Sequence, residues 1–587
     1  MQPNFSVVVI ARNESKTLPR LVASLAEFKK RGGEIVVMDT GSSDGTPQIA
    51  RELGCTVFEE GPRFTHKINK NQAREINQRF IVGLEPRIVF EGDEMFDYAN
   101  ARNHAAAYAS NDMVAMPDCD EIYTQLDIDG ICVAIKNGVE QLEYNFVYAH
   151  DEHGGEMVKF LHSKFYDRRK LKWVGIVHEV LQGEALRGFC GEDTIKLEHW
   201  QNPDTDRGGY LKGLALSVVN EPANDRNAHY FGRELLYKGR PLSAIKQLQA
   251  HVEMQKWPEE RSQSQIHIGE AYMATGNVQA AIHAWVDAFD TCSSRREPLM
   301  KIADYYYERK SPHHVIAYAE AALRIPRGSF YATFQPYYEH YPHELLYWAY
   351  WHLGDKEKAK HHFDQCLKMQ PHETKYLHDY RLFYTLPKMS IVIPTLRDTV
   401  ALDRVLASIE DLNYPKNRLE VIVLPDEPRI GVPKRVKEGV EKATGEWIVY
   451  AADDMEFDPN CLIEAYLAHM TQEADGILPA LIAFNGGPVW ADEGNICEHF
   501  MIHTVMLDGS EPLRGEIFDT EFHHVGVDNL LWARMVKAGE ALRCEHARFT
   551  HHHFSRGAEM DAVHKIGWDE ERVAHDRALL QKKLAEI

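Results

Sequence analysis

The stretch FSVVVIA, residues 5–11, running into Arg12-Asn13-Glu14, decides the fold class. It is a short β-branched run with apolar residues at consecutive positions, as in a strand covered on both faces. Leu18, Leu21, Val22 and Leu25 follow at helical spacing, and Glu34-Ile-Val-Val-Met38 then opens a second strand that ends at Asp39. A strand, helix and strand joined by short turns predict a parallel βαβ unit. The same order returns far downstream. MSIVIP, residues 389–394, leads into Thr395, a helix through Leu402, Val405, Leu406 and Ile409, and a strand Glu420-Val-Ile-Val-Leu424 ending at Pro425-Asp426. The expectation is an α/β domain at each end, over residues 1–205 and 387–587. Such sheets bind ligands beyond the carboxyl ends of their strands, so the residues closing each apolar run are the ones that matter.

Residues 206–386 read differently. Tyr230 to Gly239, Ile266 to Gly276 and Leu345 to Gly354 are helical segments closed by glycine, with a weaker copy at Ile302 to Arg309. Alanine-bearing helices follow at Ala280-Ala281 and Ala359, and Gly239 and Gly276 stand 37 residues apart. The interval and the aromatic, glycine and alanine placement resemble tetratricopeptide repeats, which implies stacked helix pairs and a groove for a protein partner. A plain helical linker is the alternative.

Bulk properties set limits. The 587 residues exceed one ordinary core. The apolar runs are far shorter than the roughly 18 residues of a membrane span, and the N-terminus lacks a signal-like pattern, so a cytoplasmic protein is expected. Nine scattered cysteines without a CxxC pair predict reduced, buried thiols. A net charge of −22 disfavours nucleic acid as a partner.

Two carboxylates at i and i+2 just past a strand, Asp118-Cys-Asp120 after Val114-Ala-Met-Pro, can hold a divalent cation that clamps a diphosphate. Upstream, Arg102 in Asn100-Ala-Arg-Asn103 is placed to meet a phosphate. Met38-Asp39-Thr-Gly-Ser-Ser-Asp44-Gly-Thr46 lies where strand meets helix, where a carboxylate can accept from a nucleotide base and glycine permits close approach. A solvated acidic loop is the bland alternative for either motif.

Taken with Trp173-Val-Gly-Ile-Val-His178-Glu179 and Leu197-Glu-His199-Trp200, these motifs make residues 5 to about 202 resemble family 2 glycosyltransferases of the GT-A fold. The resemblance implies that Ala11, Arg12, Asn13, Glu14 and Asp39 bind the nucleoside. Asp118 and Asp120 would then hold Mn²⁺ or Mg²⁺ and the sugar diphosphate, His199 would complete the metal shell, and Glu179 would be the general base. It further implies a nucleotide-sugar donor, UDP-linked by preference, and inversion at the anomeric carbon.

Residues 388 to about 556 resemble the same family less closely. Pro394 and Thr395 close the first strand, and Ala443 to Asp454 parallels the second landmark, with adjacent Asp453 and Asp454 in place of DxD. Pro425 stands where Asp39 does, with Asp426 one place later, and Val436 replaces Arg102 between Arg435 and Lys437. The resemblance implies Asp453, with Pro394, Thr395 and Asp426, as donor contacts and Asp454 as a metal ligand. Asp528, before a helix, is the implied base, or a helix N-cap, or both. One of His551, His552 and His553 would be the late metal ligand, and alternation puts His551 and His553 on one side of a strand. The whole reads as two GT-A domains flanking an all-α repeat region, a bifunctional transferase for a glycan, protein or other glycosylated acceptor. The alternatives are one active domain with an acceptor-binding copy, glycosylation of modified DNA bases, or a non-catalytic scaffold.

Overall fold

The computed structural model describes residues 2–150, 154–200, 208–327, 333–396, 399–474, 479–487, 496–553 and 569–587. The chain divides into two compact units, Met1–His362 and Phe363–Ile587. The expected boundary at 205/206 lies outside the described residues.

In the first unit the expected βαβ start is present: β1 (Ser6–Ala11), α1 (Leu18–Ser24) and β2 (Glu34–Asp39), with β1 and β2 parallel and Ala11 in register with Asp39. Alternation along β1 feeds both faces. Val7 and Val9 pack with Leu18, Leu21 and Phe28 on one side. Val8 packs on the other with Val36, Met38, Ala101 and Ala105, the last two from α2 (Tyr98–Ala106). The sheet continues through β3 (Thr56–Glu59), β4 (Met113–Ala115), β5 (Glu121–Leu126), β6 (Gln141–His150), β7 (Glu156–Asp167) and, after the hairpin β8 (Leu171–Val174) and β9 (Val180–Gly183), β10 (Ile195–His199). Its spatial order is β3-β2-β1-β4-β7-β6-β10-β5.

The helical stretch belongs to this same unit. It runs through α3 (Gly208–Asn220), α4 (Asp225–Tyr237), α5 (Pro241–Glu253), α6 (Pro258–Ala274), α7 (Val278–Thr291), α8 (Glu297–Glu308), α9 (Pro312–Leu323) and α10 (Tyr341–His352). Phe231, Leu235 and Leu248 share one core with Ile76 and Phe80 from the α/β part. The turn glycines Gly239, Gly276 and Gly354 have φ of 69°, 78° and 80°, a conformation that favours glycine at a helix end. Gly232 and Gly269 repeat at the interval of the first two. A Cβ there would lie 2.5 Å from Leu248 and 2.2 Å from Trp285, so glycine lets each helix sit close on its neighbour.

His343 of α10 and His362 of the next helix (Lys356–Met369) face each other, Nδ1 to Nδ1 at 2.9 Å. Burial, with neighbouring histidines, lowers each imidazole to about 4. Because the folded values lie below the ordinary 6.5, the unfolded chain takes up more protons between pH 6.5 and 4, and stability falls as pH drops through that window. The melting midpoint is expected to drop by several degrees from pH 7 to pH 4.5, and by less in His362→Gln. A variant with the same pH dependence as the parent removes the pair as the cause.

In the second unit β11 (Met389–Thr395), α11 (Thr399–Asp411) and β12 (Leu419–Pro425) repeat the opening. With β13 (Trp447–Tyr450), β14 (Met455–Phe457), β15 (Leu481–Asn485), β16 (Phe500–His503) and β17 (Ala541–His551), the order is β12-β11-β13-β16-β15-β17-β14. Strand for strand, β2-β1-β4-β7-β6-β10-β5 has the same order and the same pattern of parallel and antiparallel neighbours. Small polar devices recur with it. Ser6 Oγ donates to Glu34 and Ser390 Oγ to Glu420, each at 2.5 Å. Ser24 Oγ accepts from Tyr123 N at 3.2 Å, and Ser408 Oγ from Phe457 N at 3.0 Å. The helices α12 (Val527–Ala538) and α13 (Glu570–Leu584) pack on this core through Leu530, Trp532, Leu579 and Leu580.

All nine cysteines are free and buried. Among the described residues, no helix is long and apolar enough to cross a membrane.

Candidate active site

At the carboxyl end of β1 the chain turns through Asn13, at φ 58°, whose Oδ1 accepts from Ser43 N at 2.8 Å. Asn13 N donates to Ser42 Oγ at 2.8 Å, Glu14 N to Thr46 Oγ1 at 2.8 Å, and Ser15 N to Asp44 Oδ2 at 3.0 Å. The turns after β1 and β2 are therefore laced together, with Arg12 exposed on their rim. Burial opposes the ionisation of Asp44, but hydrogen bonds from Thr46 and Ser15 outweigh it and lower its carboxyl to about 2. Asp39 Oδ2 accepts from Gly41 N at 2.9 Å and Ser42 N at 3.0 Å. Its Oδ1 is buried and has no hydrogen-bond partner among the described residues. A buried carboxylate oxygen left without a donor is costly, and one N–H of a ligand would relieve it.

Asp118 and Asp120 follow β4, and the structure gives them different surroundings. Asp118 receives Arg102 Nη2 on Oδ1 at 2.5 Å and Lys164 Nζ on Oδ2 at 2.6 Å, with 38% of its side chain open to solvent. Desolvation opposes its ionisation, but Arg102 and Lys164 overcome this and hold the carboxyl well below the usual range. Lys164 also pairs with Glu121. Both oxygens of Asp118 thus already face cations.

Arg102 is 4% exposed, and its Nε donates to Glu179 Oε1 at 2.5 Å. The sequence places this arginine to meet a phosphate. In the structure it bridges Asp118 and Glu179 and lies over Trp173, with Nη1 buried and lacking a hydrogen-bond partner among the described residues.

Asp120 faces His199 instead, Oδ2 to Nε2 at 3.1 Å. His199 Nδ1 donates to the Tyr148 carbonyl at 3.0 Å, which fixes the ring and turns Nε2 toward the carboxylate. Burial opposes protonation of His199, but Asp120 and Tyr148 outweigh it and raise its pKa. A carboxylate oxygen and an imidazole nitrogen oriented from behind suit a divalent ion that takes its other ligands from a diphosphate.

The second unit repeats this pair in the same register. His199 sits opposite Glu121 across β10 and β5, and Trp200 N donates to Asp120 O at 2.8 Å. His551 sits opposite Met455 across β17 and β14, and His552 N donates to Asp454 O at 2.8 Å. His551 Nε2 lies 3.3 Å from Asp454 Oδ1, and its Nδ1 lies 3.7 Å from Glu498 Oε2. Burial opposes its charge, but Asp454 and Glu498 overcome that and raise it to about 9. His553 stacks beside His551 with centroids 5.1 Å apart, while His552 turns away to Glu456 at 3.1 Å.

Asp528 occupies the first turn of α12, whose N-cap is Gly526. Burial drives the Tyr450 hydroxyl up, and the charges of Asp528, Asp454 and Asp453 add to it. Asp426 differs from Asp39. Its N donates to Thr395 O at 2.8 Å, next to Pro394, while its Oδ1 accepts from Ile430 N at 2.9 Å, Gly431 N at 3.3 Å and Arg435 Nε at 3.1 Å. Its own loop engages it.

Several participants carry no sequence motif. Lys164 is legible only as a lysine inside the apolar end of β7, next to Phe165 and Tyr166. On α4, Tyr230 stacks on His178 at 4.0 Å, Arg233 Nη2 lies 3.3 Å from His178 Nε2, and Arg226 Nε donates to the His178 carbonyl at 3.5 Å. Tyr210 of α3 is raised by burial, then by Tyr98, Glu179 and Asp118. These come from the helical stretch, some thirty to fifty-five residues beyond the His178-Glu179 motif, and nothing local announces them.

The model described as Glycosyl transferase family 2 matches residues 6–80, and the tetratricopeptide repeat model matches residues 348–373. The chain is 47% identical over 55 residues to a 4,4'-diaponeurosporenoate glycosyltransferase of Staphylococcus haemolyticus, covering 9% of this chain and 14% of the relative. It is 25% identical over 208 residues to a TPR repeat-containing protein of Synechococcus elongatus, covering 35% of this chain and 42% of the relative. The chain thus spans less than half the length of these curated relatives. Among solved structures, the mannosyltransferase PcManGT from Pyrobaculum calidifontis in complex with GDP-Man and Mn²⁺ aligns at 15% identity and a TM-score of 0.28, covering 35% of this chain and 65% of that one. The N-terminal segment is family 2 glycosyltransferase-like, and the helical region is tetratricopeptide-like.

Proposed function

We propose that this chain is a metal-dependent, inverting glycosyltransferase with a nucleotide-sugar site in each α/β unit, moving sugars from UDP-linked donors onto a glycan, a protein or another glycosylated acceptor. The observation that carries the reading is the aspartate–histidine pair that recurs at one register of one sheet topology, Asp120–His199 and Asp454–His551. The proposed layout is three segments, 1–205, 206–386 and 387–587, with two GT-A domains around the repeats, whose groove would hold a protein partner.

In the first unit Asp39 Oδ1 accepts an N–H of the base, and the laced turn Ala11–Glu14 frames the nucleoside. Asp120 and His199 hold Mn²⁺ or Mg²⁺, which when bound neutralises the departing diphosphate. Asp118, oriented by Arg102 and Lys164, faces the donor sugar rather than filling the metal shell. Glu179 accepts the proton of the acceptor hydroxyl, and Arg102 sets its position. In the second unit Asp454 and His551 take the metal and Asp453 the donor, with His553 beside them, and Asp528 is the base.

One observation favours a second reading for that unit. Asp426 is spent on its own loop and Arg435, so this copy binds acceptor rather than donor if no nucleotide enters it.

Calorimetric titration of UDP with Mn²⁺ separates the readings. Two sites are expected, and Asp39→Ala is expected to weaken one of them about tenfold, the worth of one buried charge-assisted hydrogen bond. Product mass spectrometry of Asp454→Asn then asks whether a linkage disappears. Unchanged UDP affinity in Asp39→Ala sinks the base-binding role, and an unchanged product set in Asp454→Asn sinks bifunctionality.

A further inference from the structure

Away from the candidate active site, three helices bring a separate set of ligand atoms together. Asp225 is the first residue of α4, His251 lies in the last turn of α5, and Glu260 in the first turn of α6. One ligand atom from each lies within 4.8 Å of the others. His251 is 1% exposed and Glu260 3%. His251 Nε2 points into this cluster 3.6 Å from Glu260 Oε2, buried and without a hydrogen-bond partner among the described residues.

The far side of the ring is anchored. His251 Nδ1 lies 2.9 Å from Ser264 Oγ, which lies 2.7 Å from His229 Nδ1. Ser264 Oγ thus bridges the two ring nitrogens and holds the His251 ring in place. With Nδ1 engaged on that side, His251 presents Nε2 to the cluster. A buried ring nitrogen left without a partner is costly, and a cation bound at the cluster would relieve it. The separation of 3.6 Å from Nε2 to Oε2 is too long for a hydrogen bond. It is close to the ~3.3 Å between neighbouring ligands of a tetrahedral ion bound at about 2.0–2.1 Å.

We infer that Asp225, His251 and Glu260 form a divalent transition-metal site, of zinc-binding chemistry, that ties the starts of α4 and α6 to the end of α5. One nitrogen and two carboxylate oxygens, with the histidine oriented from behind by Ser264, is a ligand set that zinc accepts. The site is independent of any transferase activity. It would also stiffen the start of α4, where Arg226, next to Asp225, reaches the His178 carbonyl.

The test uses the full-length chain, stripped with chelator, dialysed against Zn²⁺ and measured for bound metal. His251→Gln is expected to carry one equivalent of zinc fewer than the parent, and the parent's melting temperature to rise on zinc addition by more than that of the variant. Asp120→Asn, measured alongside, accounts for zinc taken by the other candidate site and is expected to retain the His251-dependent equivalent. Crystals of the unaltered protein grown with Zn²⁺ are expected to show an anomalous difference peak within about 2.2 Å of His251 Nε2. Equal zinc content in the parent and a folded His251→Gln, or crystals without that peak, overturns the site.

Discussion

Replacing Asp120 with asparagine is expected to lower donor turnover by the first unit roughly 10²–10³-fold while leaving the melting temperature within a few degrees of the parent. The substitution keeps the volume, and the new amide N–H can donate to His199 Nε2 while Nδ1 stays on the Tyr148 carbonyl. It removes the negative charge, which is what a divalent ion needs from this position. The effect should be on kcat as well as on metal affinity, because the ion's charge matters most when the diphosphate departs. Excess Mn²⁺ should therefore restore only part of the loss. Asp118→Asn makes a useful contrast. Both Asp118 oxygens face Arg102 and Lys164, so its loss leaves two buried cations short of a partner and is expected to lower the melting temperature too. Turnover within twofold of the parent in Asp120→Asn would remove this residue from the chemistry.

The contrast between the two aspartates shows where sequence reading stops. The strands were legible because β-branched runs and helical spacing are local, and β1, α1 and β2 fall where Phe5 to Asp39 place them. The DxD motif was legible as a motif, but the division of labour inside it depends on Arg102, 16 residues upstream, and Lys164, 46 residues downstream. No spacing rule couples those positions. The triple histidine is a similar case. Alternation puts His551 and His553 on one side of a strand and His552 on the other without choosing among them, and the pairing of β17 with β14 brings His551 to Asp454. Asp426 illustrates the opposite hazard. It ends the right strand, yet a short loop carrying Gly431 at φ 99° folds back and supplies its hydrogen bonds. The helical segments announced themselves by their closing glycines. That α3 and α4 would bring Tyr210, Tyr230 and Arg226 to the His178-Glu179 turn depended on a shared core around Phe80 and Phe231, which is long-range packing.

Arg102→Ala is expected to destabilise the first unit by about 3–5 kcal/mol, the usual cost of removing one partner from a buried charge network. Arg102 pairs with Glu179, whose side chain is 8% exposed, and it shares Asp118 with Lys164. Without it Glu179 must stay ionised in a poorly solvated site or take up a proton, and either outcome costs folding free energy. The loss should be asymmetric. Lys164 continues to serve Asp118, so the penalty concentrates at Glu179, and the double variant Arg102→Met with Glu179→Gln should recover a large share of the stability by removing the orphaned charge along with its partner. The same pair tests catalysis separately from folding. If Glu179 takes the acceptor proton, the double variant regains its melting temperature without regaining transfer. If Glu179 only positions Arg102, the two recover together, and the proton must go elsewhere. Denaturant unfolding of the parent, Arg102→Met, Glu179→Gln and the double variant, beside their transfer rates, decides between these outcomes, and additive destabilisation by the two single changes would show that Arg102 and Glu179 are not coupled at all.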